Sequence, residues 1–113
     1  SEERERLLAR EVDHRAKNML AVVQAVVELT RAEDIAGFKA AVAGRIRSLA
    51  RAHSLLAAAR WEGVEIGKLA TDELAPFDRP GRDRVRLHGP RLMRRPAAAQ
   101  ALGLVLHELV TNA

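Results

Sequence analysis

Apolar side chains recur at every third or fourth position through the first part of the chain. Val12, Ala16, Met19, Val23, Val26 and Thr30 form one stripe, which Leu20 and Val27 widen. That spacing marks one face of a helix. Neither Gly nor Pro interrupts residues 2–31, and Glu2, Glu3 and Glu5 open the run, where a helix dipole favours negative charge. An unbroken helix of about 30 residues exceeds the ordinary globular range and predicts a bundle or coiled coil. A short connection is predicted at residues 32–37, with Asp34 as N-cap. The second helix is predicted to begin at Ile35 or Ala36 and to end at Ala59. Its stripe is Phe38, Val42, Ile46 (or Arg45), Leu49, His53 and Leu56. So short a connection sets consecutive helices antiparallel, as a helical hairpin. Two helices cannot by themselves bury two wide stripes, so a homodimeric four-helix bundle is expected.

The pattern changes at Trp61-Glu62-Gly63. A short strand or turn follows, then a helix over about residues 66–75. Pro76, Pro80 and Gly81 mark a loop. Val85, Arg86, Leu87 and His88 alternate apolar with polar and predict a half-buried strand, which Gly89-Pro90 ends. Residues 91–95 read as a short strand or loop. Pro96 suits the first position of a last helix, whose stripe is Ala99, Leu102, Val105 (or Leu106) and Leu109. The expected fold is mainly α: a hairpin domain over residues 1–60, then the start of an α+β domain over residues 61–113.

Composition agrees with helices. Of 113 residues 48% are hydrophobic, and only Phe38, Trp61 and Phe77 are aromatic; a stock of Ala, Leu and Val is a helix-bundle palette. With no cysteine, disulfides, zinc-thiolate sites and thiol catalysis are excluded, and a reducing compartment fits. No stretch reaches the ~18 consecutive apolar residues of a membrane span. Net charge is +4, with arginines gathered between Arg79 and Arg95. No aromatic side chains interleave with them to stack bases, so they read as a solvated surface and no nucleic-acid partner is expected. The chain starts at Ser1 and stops inside an apolar helical pattern, so a piece of a longer protein is expected.

Four histidines are candidates for chemistry. His53 lies on the second stripe and reads as a packed or core-edge residue. His88 carries no specific signal, and His107 is ambiguous alone. His14 lies two residues from Val12, about 200° around the wheel, and should face solvent. Asn18 is one turn on and shares its face. With Asp13 beside it, an imidazole can act as a nucleophile: the acid orients one ring nitrogen and takes its proton, freeing the other to attack phosphorus. Arg15 and Lys17 could offset the incoming charge. The plainer alternative is an exposed histidine on a charged helix. In the last helix His107, Glu108, Thr111 and Asn112 share one side. Glu108 and Asn112, at i and i+4, can offer two oxygens to a hard cation such as Mg²⁺; a polar helix face explains the same spacing.

Ordered segments carry a resemblance over essentially the whole chain. Residues 10–20, REVDHRAKNML, resemble the phosphoacceptor box of the HWE histidine kinases, a group of two-component sensor kinases. Residues 51–56, RAHSLL, are similar to the end of that family's second bundle helix. Trp61-Glu62-Gly63 and Leu87-His88-Gly89-Pro90 continue in the family's order, and residues 106–113, LHELVTNA, resemble its N box. The resemblance implies transfer of the ATP γ-phosphate to a ring nitrogen of His14, then to an aspartate on a response regulator receiver domain. It makes Asp13 the acid next to the acceptor, although in commoner kinases the acid follows the histidine, where Arg15 stands here. It makes Asn18 a residue that places water for dephosphorylation. Asn112 becomes the Mg²⁺ ligand, Glu108 its helper and His107 the characteristic N-box histidine, all three at the nucleotide. A bacterial, cytoplasmic setting is implied, with the whole protein soluble or membrane-anchored.

The family's later Trp-x-Glu motif and glycine-rich nucleotide boxes do not occur in these residues; Trp61-Glu62-Gly63 is not that motif. The 113 residues alone are therefore expected neither to bind ATP well nor to autophosphorylate. Two alternatives stay open: a phosphotransfer protein with a degenerate ATP-binding domain, and a helical dimerisation scaffold without phosphate chemistry.

Overall fold

The computed structural model describes residues 1–77 and 86–112. Pro80, Gly81, Val85, the first arginines of the basic cluster and Ala113 lie outside the described residues. The described chain is mainly helical, as expected. Its elements are α1 (Glu2–Leu29), α2 (Ile35–Ala58), β1 (Val64–Glu65), α3 (Ile66–Leu74), a 3-10 turn (Ala75–Phe77), β2 (Met93–Arg94) and α4 (Pro96–Thr111). It divides into two compact units, Ser1–Ala43 and Gly44–Ala113.

The first unit holds α1 and the opening turns of α2. Helix α1 stops when Thr30 turns extended at φ −72° and ψ 130°. Helix α2 starts where Asp34 takes the Gly37 N–H at 2.7 Å, the expected N-cap. Burial along α1 is one-sided in length. Val26 is buried and Met19, Val22 and Val23 are half-buried, whereas Val12 and Leu20 remain 65% and 68% exposed.

The second unit is organised around small residues. Gly44, Ser48, Ala52 and Leu56 are buried along α2, and Ala99, Gly103 and His107 along α4, both at steps of four. Ser48 Oγ donates to the Gly103 carbonyl at 3.1 Å. A methyl group placed on Gly103 would meet the Ala52 methyl at 3.6 Å, and one on Gly44 would meet His107 Nε2 at 3.1 Å. Numbers rise along α2 as they fall along α4, so the two helices run antiparallel. Matching i±4 rows are the geometry of close ridge-into-groove packing. Leu49, Leu56 and Ala99 are buried as expected, but the small residues of this contact join them and other members of the stripes do not. Ile46 and His53 are exposed on α2, and Val105 and Leu109 on α4. The sequence pattern picks out the large apolar residues, but close approach selects the small ones.

The core is Ala52, Leu56, Val64, Leu69 and Ala99, with Leu55, Trp61 and Leu102 packed around it. Full burial of a Leu contributes about 1.5–3 kcal/mol, and Leu56 and Leu69 are both essentially inaccessible. Helix α2 ends with Trp61 N–H bonded to the Leu56 carbonyl at 2.8 Å and Arg60 N–H to Ala57 at 3.1 Å. This is a Schellman-type close, with Arg60 at φ 54° and Trp61 at φ 62°. Strand β1 pairs antiparallel with β2, Val64 opposite Arg94 and Glu65 opposite Met93. Of the expected strand at residues 85–88, Val85 lies outside the described residues and the other three form no strand. Arg86, Leu87 and His88 are exposed and without regular structure, and the pairing falls to residues 93–94. Gly63 permits it: at φ 146°, a Cβ there would sit 2.8 Å from the Arg94 carbonyl oxygen.

Candidate functional site

The candidate residues fall into two groups, one in each unit. On α1 the uninterrupted helix sets His14 and Asn18 one turn apart, and both are exposed. Asn18 Nδ2 lies 3.5 Å from His14 Nδ1. Asp13, directly before the histidine, pairs instead with Lys17 at 3.0 Å, and Arg15 pairs with Glu11. The imidazole's partner is therefore the amide of Asn18, while its acidic and basic neighbours engage each other along the helix. With Nδ1 directed to Asn18, Nε2 is the nitrogen left for an incoming electrophile. With the amide nitrogen as donor, Nδ1 accepts and the ring proton sits on Nε2, so attack from Nε2 requires that proton to leave.

On α4 the three candidates have different surroundings. His107 is buried at 8% exposure, its Nδ1 has no hydrogen-bond partner, and its Nε2 edge lies over Gly44. Glu108 is half-buried and held by two arms of Arg45, with Nε donating to Oε2 at 3.0 Å. The hydrogen bond from Arg45 holds the Glu108 carboxyl below its ordinary pKa, against burial that pushes it up, and raises Arg45 in turn. Asn112 is exposed at the helix end, where its backbone N–H bonds to the Glu108 carbonyl at 3.1 Å. Among the described residues no three His, Cys, Asp or Glu side chains gather to hold a metal.

The remaining histidines have local roles. His53 is exposed and meets the Trp61 ring edge-on at 4.9 Å. His88 is exposed in an irregular segment.

Sequence reasoning missed a polar cluster that fastens α2 to α3 and α4. Glu73 is fully buried, and its Oε2 accepts from Ser48 Oγ at 2.9 Å and from Arg51 Nη2 at 3.0 Å. Among the described residues Oε1 has no partner, nor does Arg51 Nε. A signal was present: Glu73 lies four residues from Leu69 and three from Ala70, on the apolar side of α3.

A model of the HWE histidine kinase family matches residues 11–91. The chain is 42% identical to a blue-light-activated histidine kinase of Rhizobium johnstonii over 109 residues, 96% of this chain and 31% of that protein. It is 36% identical to blue-light-activated histidine kinase 1 of Erythrobacter litoralis, over 98% of this chain and 32% of that protein. Identity is also 36% with a blue-light-activated histidine kinase of Brucella anthropi, over 95% of this chain and 22% of that protein. The chain thus spans about a third or less of the length of these curated relatives.

Proposed function

The chain belongs to the HWE histidine kinase family, and we propose that it works as the phosphoacceptor and nucleotide-proximal part of a sensor histidine kinase. What carries this reading is a family match that runs from Glu11 through His14 to Arg91. In this reading residues 1–60 form the dimerisation and phosphotransfer hairpin, and residues 61–113 begin the ATP-binding domain.

His14 Nε2 gives up its proton to solvent and attacks the γ-phosphorus of ATP. The bond from that phosphorus to the bridging oxygen breaks, ADP leaves, and an N–P bond forms. Asn18 holds Nδ1 and fixes the ring, and Asp13 adds negative potential beside it. The phosphoryl group then passes to an aspartate of a response regulator receiver domain, and Asn18 would orient water for hydrolysis of that aspartyl phosphate. On α4 an exposed Asn112 offers one hard oxygen. This suits Mg²⁺, which takes most of its ligands from phosphates and water, and the bound ion would neutralise phosphate charge. Glu108 would join that site once released from Arg45, and His107 would line the nucleotide. Leu7, Leu8, Val12 and Leu20, exposed along α1, support pairing with a second copy, because such a stripe is otherwise left in water. No helix among the described residues is long and apolar enough to cross a membrane. In this reading the use of ATP and a receiver domain would put the chemistry in the bacterial cytoplasm.

The test is transfer of radiolabel from γ-labelled ATP to the full-length kinase. An acid-labile, base-stable label that disappears in His14→Gln, with helicity unchanged, is the expected result. Label that survives His14→Gln removes the assignment.

A further inference from the structure

The side of α4 that carries His107 is the side that packs on α2. His107 is buried over Gly44 with Nδ1 unpartnered. Its neighbour Glu108 is gripped by both arms of Arg45. The seal continues one turn back, where Ser48 bonds to the Gly103 carbonyl and Ala52 faces Gly103. A guanidinium is the natural competitor of a metal ion for a carboxylate, and a helix lying over an imidazole excludes any other planar group from it.

We propose that α2 acts as an autoinhibitory cover for the nucleotide face of α4, with Arg45 standing in for the cation at Glu108 and Gly44 closing over His107. Nucleotide and α2 compete for one face, so the closed arrangement must open before Glu108 and His107 reach ATP. This rests on reading α4 as part of the nucleotide site. Two residues on the α2 side set the balance. Arg45 supplies the charge that neutralises Glu108. Gly44 allows the approach, since a methyl group there would lie 3.1 Å and 3.3 Å from His107 Nε2 and Cε1. Because binding and closure are mutually exclusive, each must weaken the other by the same factor.

The contact supplies its own lock. A Cβ on Gly103 would stand 3.6 Å from that of Ala52, inside the Cβ separation of a disulfide, about 3.5–4.5 Å. The chain has no cysteine of its own. The experiment places Ala52→Cys with Gly103→Cys in the full-length kinase, freed of any other cysteine. It measures Mg-ATP affinity with a fluorescent ATP analogue, label transfer, and the rate at which the disulfide forms. Oxidation is expected to weaken nucleotide binding at least tenfold and to abolish label, with both restored by reductant. Saturating Mg-ATP is expected to slow disulfide formation severalfold. Equal binding by the oxidised and reduced protein overturns the cover and leaves the kinase reading intact. A reduced protein that neither binds ATP nor takes label overturns the kinase reading and the cover with it. Should the cysteine pair fail to fold, Arg45→Gln decides: the cover requires severalfold tighter ATP binding, and unchanged or weaker binding refutes it.

Discussion

Removing Arg51 should expose how much the second unit depends on one buried carboxylate. Glu73 is fully buried, and its Oε2 receives both the Ser48 hydroxyl and the Arg51 guanidinium. In Arg51→Leu the carboxylate stays buried with one neutral donor. Breaking a buried pair from one side costs about 3–5 kcal/mol. The Arg51 side chain is 25% exposed, so water reaches the vacated position and the low end applies, about 3 kcal/mol. For a domain of this size that lowers the melting midpoint by about 12–24 °C. Adding Glu73→Leu removes the stranded charge. Ser48 keeps the Gly103 carbonyl as acceptor at 3.1 Å, and the double variant should recover to within about 1 kcal/mol of the original. Urea titrations of the wild type, both single variants and the double variant, followed by circular dichroism, close the cycle. A coupling below about 0.5 kcal/mol between the two positions would refute the argument, because the carboxylate would not then be relying on Arg51.

Other outcomes follow from the same geometry. Leu56→Ala should destabilise by about 2–5 kcal/mol, since the side chain is fully buried in the core; denaturant midpoints measure it. Gly63→Ala should cost more than about 1 kcal/mol and loosen the β1–β2 pairing, because φ is 146° and the new methyl would lie 2.8 Å from the Arg94 carbonyl; amide exchange at Ile66, bonded to the Leu92 carbonyl, should accelerate. Arg60→Gly should stabilise by about 0.5–1 kcal/mol, the left-handed penalty at φ 54° less the entropy glycine adds to the unfolded chain; a lower melting midpoint would contradict this. The carboxyl of Glu108 has its folded pKa depressed by Arg45. Its contribution is therefore present above the unfolded value of about 4.3 and is lost as pH falls through the lower folded value. The stability difference between wild type and Arg45→Gln should shrink towards zero on acidification below about pH 4; a difference that grew would reverse the sign.

The sequence revealed most where one residue type has one use. The 28-residue α1, the Asp34 cap, Pro96 at the start of α4 and the exposure of His14 all follow from periodicity or local chemistry. Periodicity misled where small residues set the contact. The expected stripe on α4 holds at Ala99, buried, and at Leu102 and Leu106, half-buried, yet Val105 and Leu109 are exposed while Gly103 and His107 are buried. A hydropathy pattern weighs a side chain by its apolar area, but helices approach most closely where that area is least. Ser48, Glu73 and Arg51 escaped for a related reason. Glu73 stands on the apolar side of α3, but its partner is invisible until the fold brings together residues 22 apart in sequence. In α1 burial fades towards the N-terminal half, leaving Val12 and Leu20 open. The large apolar residues left open there are the physical reason to expect a second copy of the helix against them. The same pattern thus leads to the expectation of a partner for α1, and on α4 it finds Ala99, Leu102 and Leu106 but misses Gly103 and His107. The difference lies in side-chain size: Val12 and Leu20 are large enough to demand cover, whereas Gly103 asks for none and is covered because something else can come close.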